Sequence, residues 1–472
     1  MKRSLLFAGL IALLVGCQAE DIPAIRLSDA ALTFKGAENS PVVIKVYTSA
    51  PEPWEATAEA SWVSIPDVTS TSFAICVKDN ESEEARVADV CIRAGKAENR
   101  VSVRQMGKDH TFARYRSYPN CEAVVMSPSG KYVGMYDYDW DENDNTVQYA
   151  IIIDVATDKK TVLGPYPREL YTFISVCCIS DEGDLIIATE NKGNYRFTLN
   201  EEIMEIVPPA GFTKRPEISQ VAVDGTMVGW SGKGGVSYPF KWVNGEAIEL
   251  PKPELNYRNG PIGDVQARGI SADGRIIYGT TWDNFDFGMI YWDENGDVHY
   301  VGEDVRYCRT VDRPKGDGTS VKYNLCDGLW CTSTNTCVSP NGKYIAGTFR
   351  RESMDEQGGI GEVNCPAFFN TETQKTVLFE ELFDGCGVSA TSDGLGFATD
   401  SSLGPTGGYV VDIEQGIVLG NTLDWIYANY GIRLQAGYIL YMPDTKDRFL
   451  GAMMMTDGPA LMGVNWYVGP ER

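Results

Sequence analysis

The sequence predicts an all-β chain: a small β-sandwich over residues 25–107, then a β-propeller over 119–470 with seven blades or, as the alternative, six. Three observations carry that expectation. Between Ile25 and Gly107 the chain runs in short alternating stretches such as VVIKVY, FAICV, VADVCI and RVSVRQ, broken by turns containing Pro, Asn, Ser or Gly. Farther on, VSPNGKYIAGT at 338–348 rewrites ISADGRIIYGTT at 270–281. Each such unit is then followed by another apolar strand and hairpin, as in PFKWVNGEAIEL and PAFFNTETQKTVLF.

Residues 1–16 stand apart. Lys2 and Arg3 precede the apolar run LLFAGLIALLVG, which is too short to span a bilayer and reads as the core of an export signal. The run ends in Leu14-Val15-Gly16-Cys17, which resembles a bacterial lipobox, implying cleavage before Cys17 and lipidation of that cysteine. The acidic residues after it resemble the stretch that sends Bacteroidetes lipoproteins to the exterior, with Ala19 where a lysine is common. The expectation is a lipidated tether over 17–24 holding the protein at the outer membrane, facing outward.

The chain carries 65 acidic against 41 basic residues, a formal net charge of −24. Such a surface repels phosphate backbones, so nucleic acid is not an expected partner. Of twelve cysteines one goes to the lipid, and most of the others sit in apolar runs as small buried thiols. Cys308, Cys326, Cys331 and Cys337 cluster without the paired spacing of a zinc site, which favours a local disulfide.

The first domain becomes more specific through Trp54, Trp62-Val63-Ser64-Ile65, Asn80, Arg86 and the closing VSVRQMG at 101–107. In that order they resemble a BACON domain, an Ig-like module of Bacteroidetes surface proteins and glycoside hydrolases; the glycine that often follows its tryptophan segment is missing here. The resemblance implies carbohydrate or mucin binding, or a spacer role. Trp54 and Trp62 are expected in the core, because so small a sandwich needs large apolar side chains.

After a linker at 108–118, the repeated unit occurs as VVMSPSGKYVGM, CCISDEGDLIIAT, VAVDGTMVGW, GISADGRIIYGT, CVSPNGKYIAGT and VSATSDGLGFAT, with turn glycines at 130, 183, 225, 274, 342 and 394. A seventh copy, YMPDTKDRFLGAM, reads with Asp447 in the glycine's place. One twisted four-stranded sheet cannot bury both of its faces, whereas a closed ring of such sheets can, which accounts for the repetition. The units resemble the extracellular HAF-type repeat proteins over about 120–470. LDWIYANYGIRLQAGYIL resembles that family's short helix before the last blade, with Asn421 or Thr422 as its N-cap.

In such a ring the serine-glycine turns lie on one face and the variable connections on the other, where function usually resides. The variable connections hold Asp137, Asp139, Trp140, Trp230, Trp282, Phe285 and Phe349, and a long insertion adds Arg309, Arg313 and Trp330. Aromatic rings beside carboxylates and arginines suit a glycan; the competing reading is that each ring only caps the core between blades. Trp242 and Trp292, inside strands, are expected in the core.

Asp137, Asp139 and Asp141 in DYDWDENDN raise a calcium reading, although the EF-hand pattern fails at Glu142 and Gln148. With two histidines, His110 and His299, neither a Ser-His-Asp triad nor a histidine-rich metal site is expected. GKGG at 232–235 reads as a turn. The function expected is a non-catalytic surface component that binds a glycan or glycoprotein without a cofactor. Its rivals are a glycoside hydrolase or polysaccharide lyase using carboxylates at the propeller mouth, and a protein-interaction scaffold of an outer-membrane complex.

Overall fold

The computed structural model describes residues 25–470 except 30, 38, 50, 83, 109–113, 120–123, 143–144, 169–170, 191–192, 213–215, 284–285, 331–336, 400–406, 433, 435 and 458–459. The signal segment, Cys17, His110 and Phe285 therefore lie outside the described residues. The chain is nearly all strand and divides into two compact units, 1–110 and 111–472.

In the first unit two four-stranded sheets each bury one face. One orders its strands as Ile25–Leu27, Val42–Thr48, Ser72–Val77, Val63–Ser64; the other as Ala31–Phe34, Ala97–Gln105, Arg86–Ala94, Glu55–Ala58. Ile44, Phe73 and Ile75 from the first and Val90, Ile92, Val101 and Val103 from the second are fully buried, the alternation expected of strands with one dry face. Trp54 is buried against Phe73, ring centroids 5.7 Å apart, and its Nε1 donates to the Ser70 carbonyl. Trp62 lies under the Arg86 guanidinium, which donates to Gln105 Oε1. Buried Asn80 donates to the Glu84 and Met106 carbonyls. Trp54 and Asn80 thus satisfy buried backbone, whereas Trp62, expected in the core, is half-buried beneath Arg86.

The second unit is a propeller-like succession of antiparallel meanders. They span 125–167, 173–205, 217–249, 264–300, 338–378, 386–421 and 438–469. The last is completed by Arg114–Pro119, which pairs with Ala460–Gly469. Residues 114–118, expected as linker, are thus strand: Tyr118 stacks on Tyr467 at 6.2 Å and, on the opposite face, Tyr115 meets Trp466 at 6.0 Å. Register shifts recur in first strands, at 218/220, 267/269, 387/389 and 439/441, bending each strand where it packs against its neighbours.

All six turn glycines take positive φ, between 74° and 93°. Each unit has a four-residue turn, and five of the seven open on a Ser or Thr whose hydroxyl accepts a backbone N–H from just beyond: Ser127 from Tyr132, Ser180 from Asp184, Ser271 from Ile276, Ser339 from Tyr344, Thr391 from Leu395; the third opens on Ala222 and the seventh on Pro443. In the seventh copy the left-handed residue is Lys446, φ 54°, not Asp447; the latter pairs with Arg448. Asn244-Gly245 and Gly234-Gly235 form the expected tight hairpins with positive φ. Trp242 and Trp292 are core. The helix is Thr422–Tyr430, capped by Asn421, whose side chain accepts from Leu423 N, and closed by left-handed Gly431.

Candidate functional site

Hairpin logic puts the serine turns and the last hairpin of each meander on one face and the remaining connections on the other. On the second face the strand Tyr132–Trp140 is paired along its whole length with Thr146–Asp154. Tyr138 and Trp140, two residues apart and so on one side of the strand, are 56% and 61% exposed, their rings edge to face at 5.9 Å. Asp137 and Asp139 point the other way, each accepting from the next backbone N–H, and Asp141 accepts from Asn145. Asp137 and Asp139 each have one oxygen taken by the local backbone, and among the described residues no group of three or more His, Cys, Asp or Glu is placed to hold a metal ion.

The long insertion is a hairpin, Tyr307–Pro314 with Ser320–Trp330, clamped by a Cys308–Cys326 disulfide. It rests on a second long hairpin, Tyr344–Met354 with Ile360–Asn370. At their base Glu352, 1% exposed, receives a two-pronged ion pair from Arg258 at 2.6 and 2.8 Å and a hydrogen bond from Cys326 N. Arg309 joins Asp327 at 3.2 Å and the Glu352 carbonyl; Arg313 donates to the Gly358 carbonyl and lies over Tyr323. Both arginines therefore hold the hairpins together. Neutralised by its fork, Glu352 acts as a structural anion.

Two aromatics expected at the surface are core. Trp330, 2% exposed, packs on Tyr257 at 4.8 Å under the Arg350 guanidinium, and Phe349 is 6% exposed, so neither offers a ring face to a ligand. Both follow an apolar-alternating stretch that continues blade strands into the extension, which buries them. Trp230 lies within strand Met227–Lys233 beneath Arg268 at 4.6 Å. Trp282 is the penultimate residue of strand Ile277–Asp283, with its side chain outside the described residues.

Sequence reasoning missed a groove of about 180 Å³ above Phe349. Phe383, 58% exposed, and Val363 form its apolar wall; Arg351, paired with Glu380 at 3.2 Å, and Asn364 supply polar groups. Asn364 Oδ1 is buried without a partner among the described residues. Burial, then the Glu380 carboxylate, push the Cys365 thiol up to about 11, so it stays protonated. The signal was Phe383 beside Asp384-Gly385, an apolar ring in a turn.

The serine-turn face holds two larger grooves. One of about 350 Å³ lies between the fourth and fifth meanders, around Tyr291, stacked on His299 at 5.1 Å. Its cations are already matched: Arg275 to Asp273 at 2.7 Å and Lys343 to Glu414 at 2.6 Å. The other, about 480 Å³, separates the second and third meanders.

No protein-family model and no curated protein matches the chain. Among solved structures it is similar to TolB of Acinetobacter baumannii, over 80% of this chain at 13% identity and TM-score 0.25; the chain spans 59% of that structure's length. An oligogalacturonate lyase of Vibrio parahaemolyticus is matched over 75% of this chain and 97% of its own, at 10% identity and TM-score 0.41. A quinonprotein alcohol dehydrogenase-like protein of Bacteroides thetaiotaomicron is matched over 84% and 93%, at 10% identity and TM-score 0.31.

Proposed function

We propose that the protein is a lipid-anchored lipoprotein of the outer surface whose BACON-like, Ig-like module carries a closed seven-bladed propeller that binds glycans without catalysis. The blade count is supported by the seven meanders and by Arg114–Pro119 completing the last. The anchor is supported by the Leu14–Cys17 motif.

The observation that carries the glycan reading is the exposed Tyr138–Trp140 pair on a firmly paired hairpin, on the same side of the propeller as the Phe383 groove. Ring faces of this kind stack on the C–H surfaces of sugars, while Asn364 and the Arg351–Glu380 pair are suited to hydroxyls. The non-catalytic part rests on the scarcity of histidine and on the Arg258 fork that neutralises Glu352.

A broad glycan array tests the reading. The full chain is expected to bind a restricted set of glycans saturably, with Trp140→Ala or Phe383→Ala weakening the best ligand at least tenfold. An array blank for a folded protein, or affinities untouched by both substitutions, would sink it. Separately, Cys17→Ala is expected to move the protein from the detergent phase to the aqueous phase.

A further inference from the structure

Neighbouring serine turns are joined by hydrogen bonds all round the second unit except at one place. Between the first and second turns, Ser129 donates from both N and Oγ to Asp181, at 3.1 and 2.8 Å. Between the third and fourth, Val223 N reaches the Ala272 carbonyl; between the fourth and fifth, Asp273 N reaches the Pro340 carbonyl. Asn341 N donates to Ser392 Oγ, Ser392 donates twice to Asp444, and Arg448 reaches the Gly130 carbonyl. Among the described residues no hydrogen bond links the turn at 180–183 to that at 222–225, and the 480 Å³ groove opens there.

Its lining has a definite chemistry. Ile186, Met227 and Trp242 give an apolar floor. Five carboxylates, Asp181, Glu182, Asp184, Glu205 and Asp224, line it with one cation, Arg196, which is held by Asp184 at 3.4 Å; Asp181 also accepts from Ser129 and Asp224 from Thr226. Glu182 and Glu205 have no ion-pair partner among the described residues. One bank is the sheet face of the second meander, where Ile186, Arg196 and Met204 stand side by side across three strands. Val207 and Val223 stand on the rim, 64% and 53% exposed.

We propose that this groove receives an extended segment of a partner protein through a lysine side chain, its stem on the apolar floor and its ammonium among the carboxylates. The apolar floor suits the stem of a lysine, and the excess of carboxylate over cation sets the sign of the charge that it carries. This site lies on the face opposite the proposed glycan site and does not depend on it.

The test is fluorescence polarisation with the full chain and a labelled eight-residue Ser/Thr/Val peptide bearing one central lysine, beside the same peptide with acetyl-lysine. The lysine peptide is expected to bind saturably and the acetylated one at least tenfold more weakly. Glu182→Lys with Glu205→Lys, both on the groove rim, is expected to cost at least tenfold; Glu294→Lys with Glu372→Lys, the same charge change at the other groove, less than twofold. No saturable binding, or equal losses in the two double variants, would overturn the proposal. So would spermidine competing as well as the peptide, which would make this a site for free amines.

Discussion

The junction between the first and second turns and the junction between the second and third are built from the same four-residue unit, yet one is sealed and the other open. In the sealed junction the third turn position of one meander is Ser129 and the second position of the next is Asp181, a donor facing an acceptor. In the open junction the corresponding residues are Glu182 and Val223. Glu182 turns its N–H inward to Ser180 Oγ, and a valine offers no side-chain acceptor, so the turns part and a groove results. The repeat thus specifies the hairpin, while each tie is made separately, by side chains at Ser129–Asp181 and by backbone at Val223–Ala272 and Asp273–Pro340; among the described residues the second and third turns have neither.

The comparison can be strained hardest at the glycines. At the fifth turn a Cβ on Gly342 would lie 2.5 Å from Ile276 Cγ1, at φ 74°, whereas at the open junction a Cβ on Gly225 meets nothing within 4 Å. Gly342→Ala is expected to destabilise the second unit by about 3 kcal/mol, overlap adding to left-handed strain, and Gly225→Ala by only about 1 kcal/mol. Urea unfolding read on that unit's signal checks this; equal losses would mean that the neighbouring turn does not press on Gly342.

Next in size is the tie itself. Asp444→Ala removes an acceptor of two hydrogen bonds from Ser392 and is expected to cost about 1–2 kcal/mol. Glu182→Ala, with no such bond to lose, should stay within about 0.5 kcal/mol. The converse graft, Glu182→Ser with Val223→Asp, recreates the donor and acceptor and is expected to stabilise by about 1 kcal/mol while closing the groove. A graft that leaves stability unchanged would show that something other than these two residues parts the turns.

The smallest effect is on acid stability. Burial pushes the carboxyls of Asp273, Asp393 and Asp447 up. Hydrogen bonds outweigh it, from Ser271 and Arg275 to Asp273, from Lys446 and Thr391 to Asp393, and from Arg448 to Asp447, and hold all three below 3.8. A carboxyl depressed in the folded state contributes stability that is complete above its ordinary value and lost as pH falls through the depressed one. Unfolding midpoints should therefore be flat above about pH 5 and fall below about 4. Asp184 differs, because burial raises it despite Arg196.

Much of the architecture was legible because it repeats. Six glycines at matching positions announced six left-handed turns, and Asn421 announced the cap of the one helix. The strand Arg114–Pro119 was missed because its partner, Ala460–Gly469, lies at the far end of the chain, and pairing across that separation leaves no local pattern. The site was less legible. Trp140 and Trp330 both end runs of alternating polarity, but only the extension packed over Trp330 buries it, and that extension is a tertiary fact. Phe383 escaped notice because one apolar residue in a turn carries no periodicity. The gap between the second and third turns was not readable, because other turns are tied through backbone groups that leave no residue-type signal.

The most direct measurement of whether the two faces serve different ligands is isothermal titration of wild type, Trp140→Ala and the Glu182→Ser/Val223→Asp graft, each with the best array glycan and with the single-lysine peptide. The account predicts that Trp140→Ala loses the glycan and keeps the peptide, and that the graft does the reverse. Loss of both ligands in either folded variant, or the opposite pairing, would contradict it.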